Sequence, residues 1–252
     1  MGEPGGMRLL LFVFAKNEES QFERTVRGLQ AACSPDHVAG MVLFLAQNAT
    51  GGCLRTAEVL NRADFPIAVE IARQPCGDIP ACLKAVLDAR ADITHVLFVA
   101  ADYFLEPAAI AGLIGRAARD PGAVHKFSRA LPGGGFSPGY PAGAETLYRL
   151  FCAAVRVFYG CKITDPSFFI MAAPVRFFRR IRFKRTSMLF GQEWMYALLR
   201  AKAPVAEIPA VNLPRTEMGG TATLLYRLRY VTIAVAMRLR PMKRIWEKGA
   251  MP

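Results

Sequence analysis

The chain has 252 residues, 53% of them hydrophobic, with a mean hydropathy of +0.23 and a formal net charge of +12. That length supports one large domain with at most a small appendage, and no run of about 18 uncharged apolar residues offers a membrane-spanning helix. Six cysteines without a C-x-x-C pair and three scattered histidines argue against a zinc or redox centre. The cysteines read as small buried residues of a reduced cytosolic protein. Met1-Gly2-Glu3-Pro4-Gly5-Gly6 lacks the basic start and apolar stretch of a signal peptide, and Gly6 breaks a myristoylation pattern. Charge is unevenly placed: residues 176–252 hold 16 Lys and Arg against 4 Asp and Glu, the whole of the net charge. A basic end of this kind suggests an anionic partner, with a membrane surface or lipid phosphate ahead of nucleic acid, for which no recognised module is present.

In chain order, Arg8–Phe14 is a buried-strand pattern that runs into Ala15-Lys16-Asn17-Glu18-Glu19 and a helix to about Ala32. Phe22, Val26 and Leu29 recur at helical spacing and give that helix one apolar face. Val38–Leu45 is a second strand, followed by the polar turn Ala46-Gln47-Asn48-Ala49-Thr50-Gly51-Gly52 and a helix over 53–62. Ile67–Ile71 is a third strand. Asp78 and Pro80 have the positions of a helix N-cap and first turn. Val96–Ala101 is a fourth strand, apolar throughout, which ends in Asp102; Pro107 then opens the next helix. Strand and helix alternate through the first 120 residues, the pattern of a parallel sheet with helices on both faces. No G-x-G-x-x-G or Walker loop is present, so the usual dinucleotide and P-loop folds lack their motif.

Beyond Pro121 the texture changes. Short strands are expected within 123–130, 166–172 and 205–213, as a small antiparallel addition to the sheet. Pro132–Pro141 is rich in glycine and proline and reads as a mobile loop of the kind that covers a site. Helices are expected over 143–159 and 192–201. The last 30 residues alternate apolar clusters with arginines and read as a basic amphipathic helix or pair of helices, suited to a bilayer surface.

Asp102 sits where a central parallel strand ends, the edge at which open α/β sheets bind ligands. A lone Asp there reads equally as a cap. Four stretches give it company. Phe12-Val13-Phe14-Ala15-Lys16-Asn17-Glu18-Glu19, Leu45-Ala46-Gln47-Asn48-Ala49-Thr50-Gly51-Gly52, Val99-Ala100-Ala101-Asp102 and Thr164-Asp165-Pro166-Ser167 stand in the order and at the spacing of four family motifs. Together with Ser128-Arg129 and Pro214–Thr221 they resemble a family-2 glycosyltransferase of the GT-A fold. The nearest subgroup is that of dolichol-phosphate mannose synthases and polyprenyl-phosphate glycosyltransferases. The resemblance implies an α/β GT-A domain over 7–221, with a mainly parallel central sheet flanked by helices and a small antiparallel addition. A basic helical segment over 222–252 completes the chain.

It further implies transfer, inverting in type, of a sugar from a nucleotide-sugar donor to a polyprenyl phosphate or other membrane acceptor. The place of action is the cytoplasmic face of a membrane, peripherally bound. Ala15, Lys16, Glu18, Gln47, Asn48, Ala101 and Arg215 are the implied nucleotide-binding positions. Asp102 is the metal ligand, for Mg²⁺ or Mn²⁺. Asp102, Arg129 and Asp165 are the catalytic candidates, Arg129 being placed to hold the acceptor anion, with Arg149 behind it. The chain departs from the family where Ala46-Gln47 replaces an Asp pair and Ala100-Ala101-Asp102 retains one carboxylate of D-x-D. Two other readings stay open. One is a GT-A-like binding or assembly protein without catalysis. The other is a transferase with a soluble acceptor, for which Asp165 or Glu193 is the general base.

Overall fold

The computed structural model describes residues 6–46, 48–73, 78–101, 105–136, 142–168, 170–187, 189–211 and 224–247. Strands β1 (Leu9–Ala15), β2 (Val38–Leu45), β3 (Val69–Arg73) and β4 (His95–Ala100) are parallel, and helices α1 (Glu19–Ala32), α2 (Gly51–Arg62), α3 (Ile79–Asp88) and α4 (Pro107–Arg119) follow them in turn. Then come β5 (Val124–Ser128), α5 (Ala142–Tyr159), β6 (Met171–Pro174), α6 (Val175–Arg179), α7 (Phe190–Arg200), β7 (Val205–Pro209) and α8 (Leu224–Leu239). The seven strands form one sheet in the order β3-β2-β1-β4-β6-β5-β7. Only β6 runs against its neighbours β4 and β5, while β7 is parallel to β5. The expected mainly parallel sheet is observed, but its antiparallel addition is β6 alone, at 171–174 rather than 166–172; the strands expected with it in 123–130 and 205–213 run parallel to β4.

Alternation along the strands divides the core in two. Leu9, Leu11 and Val13 face a layer made by Phe22, Val26, Leu60, Ile110 and Leu113 of α1, α2 and α4. Leu10, Phe12 and Phe98 face the other layer, which includes Leu83, Phe178 and Trp194 of α3, α6 and α7. Both faces are covered, and every residue of β4 is buried, which is why β1 and β4 read as unbroken apolar runs. Asp78 caps α3 by accepting from Ala81 N at 2.9 Å, with Pro80 in the first turn. Pro107 likewise opens α4.

The segment beyond residue 221 is helical over Leu224–Leu239. Ile233, Ala234 and Met237 are buried against the main core, as are Ile245 and Trp246. Ile181 and Trp246 form a β-bridge that ties the end of the segment to the body. Val231, Val235 and Leu239 on the same helix are exposed. No helix among the described residues is long and apolar enough to cross a membrane. The five described cysteines are free thiols, and burial pushes Cys33 up to about 11 and Cys152 up to about 12.

Candidate active site

Strand order reverses between β1 and β4, since β2 and β3 lie to one side of β1 and the later strands to the other. A crevice opens outside the carboxyl ends at such a switch point. Ala15, Ala46 and Ala101 meet there. Ala46 N donates to Ala15 O at 3.0 Å and Ala101 N to Phe14 O at 2.8 Å. Lys16 lies just beyond β1 and is exposed. The Glu18 carboxylate turns back and accepts from Lys16 N at 2.7 Å and Asn17 N at 3.0 Å, which fixes the turn out of β1. Glu19 accepts from the Thr50 hydroxyl at 2.5 Å, so the loops after β1 and β2 are joined by a side-chain bond. A Cβ at Gly52 would fall 2.0 Å from the Glu19 carboxylate, so a larger residue there would displace that side chain from its bond to Thr50. Asn48 is exposed beside them, while Gln47, Asp102 and Arg215 lie outside the described residues.

The end of β5 and the turn before β6 come to the same edge, because β5 is parallel to β4 and β6 antiparallel to both. There Asp165 is fully buried and holds Arg129 in a bidentate pair. Arg129 Nε donates to Oδ2 at 2.9 Å and Nη2 to Oδ1 at 3.2 Å, and the Arg129 backbone N–H adds a bond to Oδ2 at 3.0 Å. Tyr148 of α5 gives its hydroxyl to Asp165, takes a bond from Arg129 Nη2 at 2.6 Å and touches the Ser167 hydroxyl. The rings of Phe168, Tyr148 and Phe136 enclose the guanidinium, with centroids 4.4, 4.7 and 5.1 Å from its carbon. Stacking of this kind suits a partly desolvated cation.

Below this layer lies a second pair that sequence reading does not find. Lys126, in the middle of β5, is fully buried. Its ammonium donates to Phe127 O and Asp165 O, both at 2.7 Å, and reaches Glu207 Oε1 at 3.4 Å. Glu207 on β7 accepts from Thr164 N at 2.6 Å, Thr164 Oγ1 at 2.8 Å and Asp165 N at 3.1 Å. The Thr164–Asp165 turn is thus clamped by a buried ion pair with nearly all its hydrogen-bonding capacity used, the condition under which buried charge is tolerable. Burial works to raise the Asp165 pKa, but Arg129 and Lys126 outweigh it and hold the carboxyl down at about 2. Burial, joined by the Asp165 charge, raises the Tyr148 hydroxyl well above its ordinary value against the pull of Arg129. Burial lowers Lys126, against the two carboxylates.

The first part of the Gly/Pro loop, read from sequence as mobile, packs against the body. Gly134 packs on the backbone of Ser128 and Arg129, where a Cβ would sit 2.6 Å from Ser128 O. Gly135 N donates to Ala210 O at 3.0 Å, and Phe136 lies on Arg129. Residues 137–141 of the loop lie outside the described residues. Arg149, one turn beyond Glu145, is paired with it at 2.8 Å and stands 5.7 Å from the Phe136 ring. Glu193 stands apart from Asp165: it is buried and accepts from Lys184 N and Arg185 N at 2.8 and 2.7 Å. Its neighbour Gln192 does reach the Asp165 turn, donating to Ser167 O at 2.5 Å.

As a metal site the described residues do not suffice. Among them no group of three His, Cys, Asp or Glu side chains is placed to hold an ion. Ala101 ends the strand without a donor side chain, and the Thr25 hydroxyl is spent on Ala101 O at 3.2 Å. A cation at this edge would need Asp102 and oxygens brought by a ligand.

No protein-family model matches the chain, and no curated protein matches it by sequence. Solved structures do resemble it. A mycobacterial protein superposes with a TM-score of 0.65 at 16% identity, over 93% of this chain and 75% of that one. Glucosyl-3-phosphoglycerate synthase from Mycobacterium tuberculosis, in complex with Mn²⁺, UDP and phosphoglyceric acid, gives 0.64 at 16% identity over 94% and 80%. The same enzyme with Mn²⁺ and UDP-glucose gives 0.64 at 17% identity over 93% and 79%. At such identity the likeness establishes the fold, that of a GT-A glycosyltransferase. The polyprenyl-phosphate subgroup rests on the sequence motifs alone.

Proposed function

We propose that this chain is a glycosyltransferase that moves a sugar from a nucleotide-sugar donor to an acceptor bearing a phosphate. One observation carries the reading. The motif-bearing segments after β1, β2, β4 and β5 and before β6, spread over more than half of the chain, are brought by the topology to one sheet edge. A solved protein of the same fold holds Mn²⁺ and UDP-glucose. In this chain Lys16 and Asn48 are exposed beside the β1–β4 switch point and are assigned to the nucleotide, with Gln47, Ala101 and Arg215 as the further positions. Asp102 would supply the protein carboxylate for a divalent cation bound together with the donor diphosphate. Such a cation neutralises charge on the departing nucleoside diphosphate. Arg129, oriented by Asp165 and by its three rings at the same sheet edge, is the residue we assign to the acceptor anion.

The phosphate-bearing acceptor has two possible sources. The sequence motifs and the basic C-terminal third favour a lipid phosphate at a membrane surface. The similar enzyme has been solved with phosphoglyceric acid or glycerol 3-phosphate, both soluble. A second reading, a GT-A-like binding protein without turnover, is favoured by Ala46, Gln47 and Ala100 where the family carries carboxylates.

A thermal-shift panel of UDP-, GDP-, CDP- and dTDP-sugars, with and without Mg²⁺ or Mn²⁺, is the first test. A nucleotide sugar that stabilises the protein, more so with metal, is the expected result; no stabilisation under any condition overturns the transferase reading and leaves the binding protein. Product formation with polyprenyl phosphate or with small phosphorylated acceptors then identifies the acceptor. Donor binding with neither product selects the binding protein.

A further inference from the structure

A cavity of about 530 Å³ lies between α8 and the segment that joins α6 to α7. Its lining combines the cations Lys184, Arg185, Arg240 and Arg244 with apolar residues of α8, including Met237 and Leu239, the latter 73% exposed. Glu193 supplies the one carboxylate of the lining, and its oxygens are already engaged. One accepts from the backbone of Lys184 and Arg185, and the other stands 3.5 Å from Arg240 Nη1. Among the described residues the side chains of Lys184, Arg185 and Arg244 meet no acidic partner. Arg240 is crowded: its Nη2 is tied to Arg182 O at 3.0 Å and its buried Nε has no acceptor. Burial, with Arg244 and Arg182 nearby, lowers its pKa in spite of Glu193. Like charges so gathered repel, and a single spent carboxylate leaves an excess of positive potential in a half-enclosed space.

We propose that this cavity is a second binding site, for a phosphate or diphosphate group that carries an apolar chain. Arginine and lysine donors recognise the phosphate oxygens, and the apolar α8 residues receive hydrocarbon. The site is separate from the sheet-edge crevice. Successive residues of α7 serve the two places, Gln192 reaching Ser167 and Glu193 facing the cavity. The proposal does not depend on sugar transfer. A lipid headgroup and a soluble phosphorylated compound share this chemistry, and the test separates them.

The full chain is titrated calorimetrically with pyrophosphate at low salt in EDTA, which removes any metal-dependent binding at the crevice. In parallel it is floated with vesicles of phosphatidylglycerol mixed with phosphatidylcholine, and with phosphatidylcholine alone. Lys184→Gln with Arg244→Gln removes two exposed cavity charges. Lys243→Gln with Arg119→Gln removes the same charge elsewhere and serves as the control. Arg185→Gln stands in if the cavity pair melts lower than the control pair. Pyrophosphate affinity should fall about tenfold or more in the cavity variant and hold in the control. If capture on anionic vesicles falls with it, the phosphate belongs to a lipid; if capture is unmoved, it belongs to a soluble compound. Loss of vesicle capture in the cavity variant alone, without pyrophosphate binding, also assigns the site to a lipid headgroup. Equal behaviour of the two variants in both arms, or no binding by the unmodified chain, overturns the proposal.

Discussion

Asp165 keeps its charge where charge is hardest to keep, with no exposed surface and Arg129 and Lys126 as its counterions. Its folded pKa of about 2 lies below the unfolded value of roughly 3.9. Its contribution is therefore complete above about pH 4 and fades as pH falls through 2. Asp165→Asn should cost about 3–5 kcal/mol at neutral pH, because it leaves two buried cations short of an anion. Urea denaturation from pH 5 to pH 2 should show the gap between unmodified protein and variant closing at the acid end; a gap that holds constant would mean the carboxylate is not the group responsible. Asp102 calls for the opposite pattern. Asp102→Asn keeps the capping capacity, so stability should change by at most about 1 kcal/mol. Metal-dependent stabilisation by the nucleotide sugar should disappear. Asp165 was legible in the sequence through Thr164-Asp165-Pro166-Ser167, and so was Arg129. Lys126 was not. A lysine inside Val124–Ser128 looks like an outward position on a half-exposed strand. What makes it a core residue is Glu207, 81 positions later.

At the scale of elements, β1, β2 and β4 could be read directly, since burial on both faces leaves an apolar run that no amphipathic helix shows. The later strands were harder to bound. Strand β6 has four residues and β7 five, and their neighbours in the sheet depend on long-range pairing that no local pattern records. The loop after β5 illustrates the limit. Glycine and proline suggested freedom, yet Gly134 is there because backbone passes close to backbone. Gly134→Ala should push the loop off Ser128 and cost about 1–3 kcal/mol, since the obstructing atom is a carbonyl rather than a yielding side chain. Limited proteolysis should then cut the 130–141 segment faster than in the unmodified protein; an unchanged cutting rate would show that the loop's docking does not depend on that approach.

For the molecule as a whole, the basic end is built into the body. Trp246 is 2% exposed and Ile245 fully buried, and both belong to the core that packs β1 and β4. Trp246→Ala should cost about 3–5 kcal/mol. Truncation after residue 221 should lower the melting temperature by more than that single change does. Membrane binding is therefore better tested by charge changes than by deletion. The buried Lys126–Glu207 pair also has a meaning in time. A ribosome that adds roughly 5–20 residues per second delivers Glu207 some seconds after Lys126. During that interval the lysine has no carboxylate from β7, and burying it alone is costly. Strands β1 to β4 can draw backbone pairing from one another, but one face of β1 and β4 is fully covered only when α6, α7 and Trp246 have followed. The Thr164–Asp165 turn can thus lock only after Glu207 has emerged.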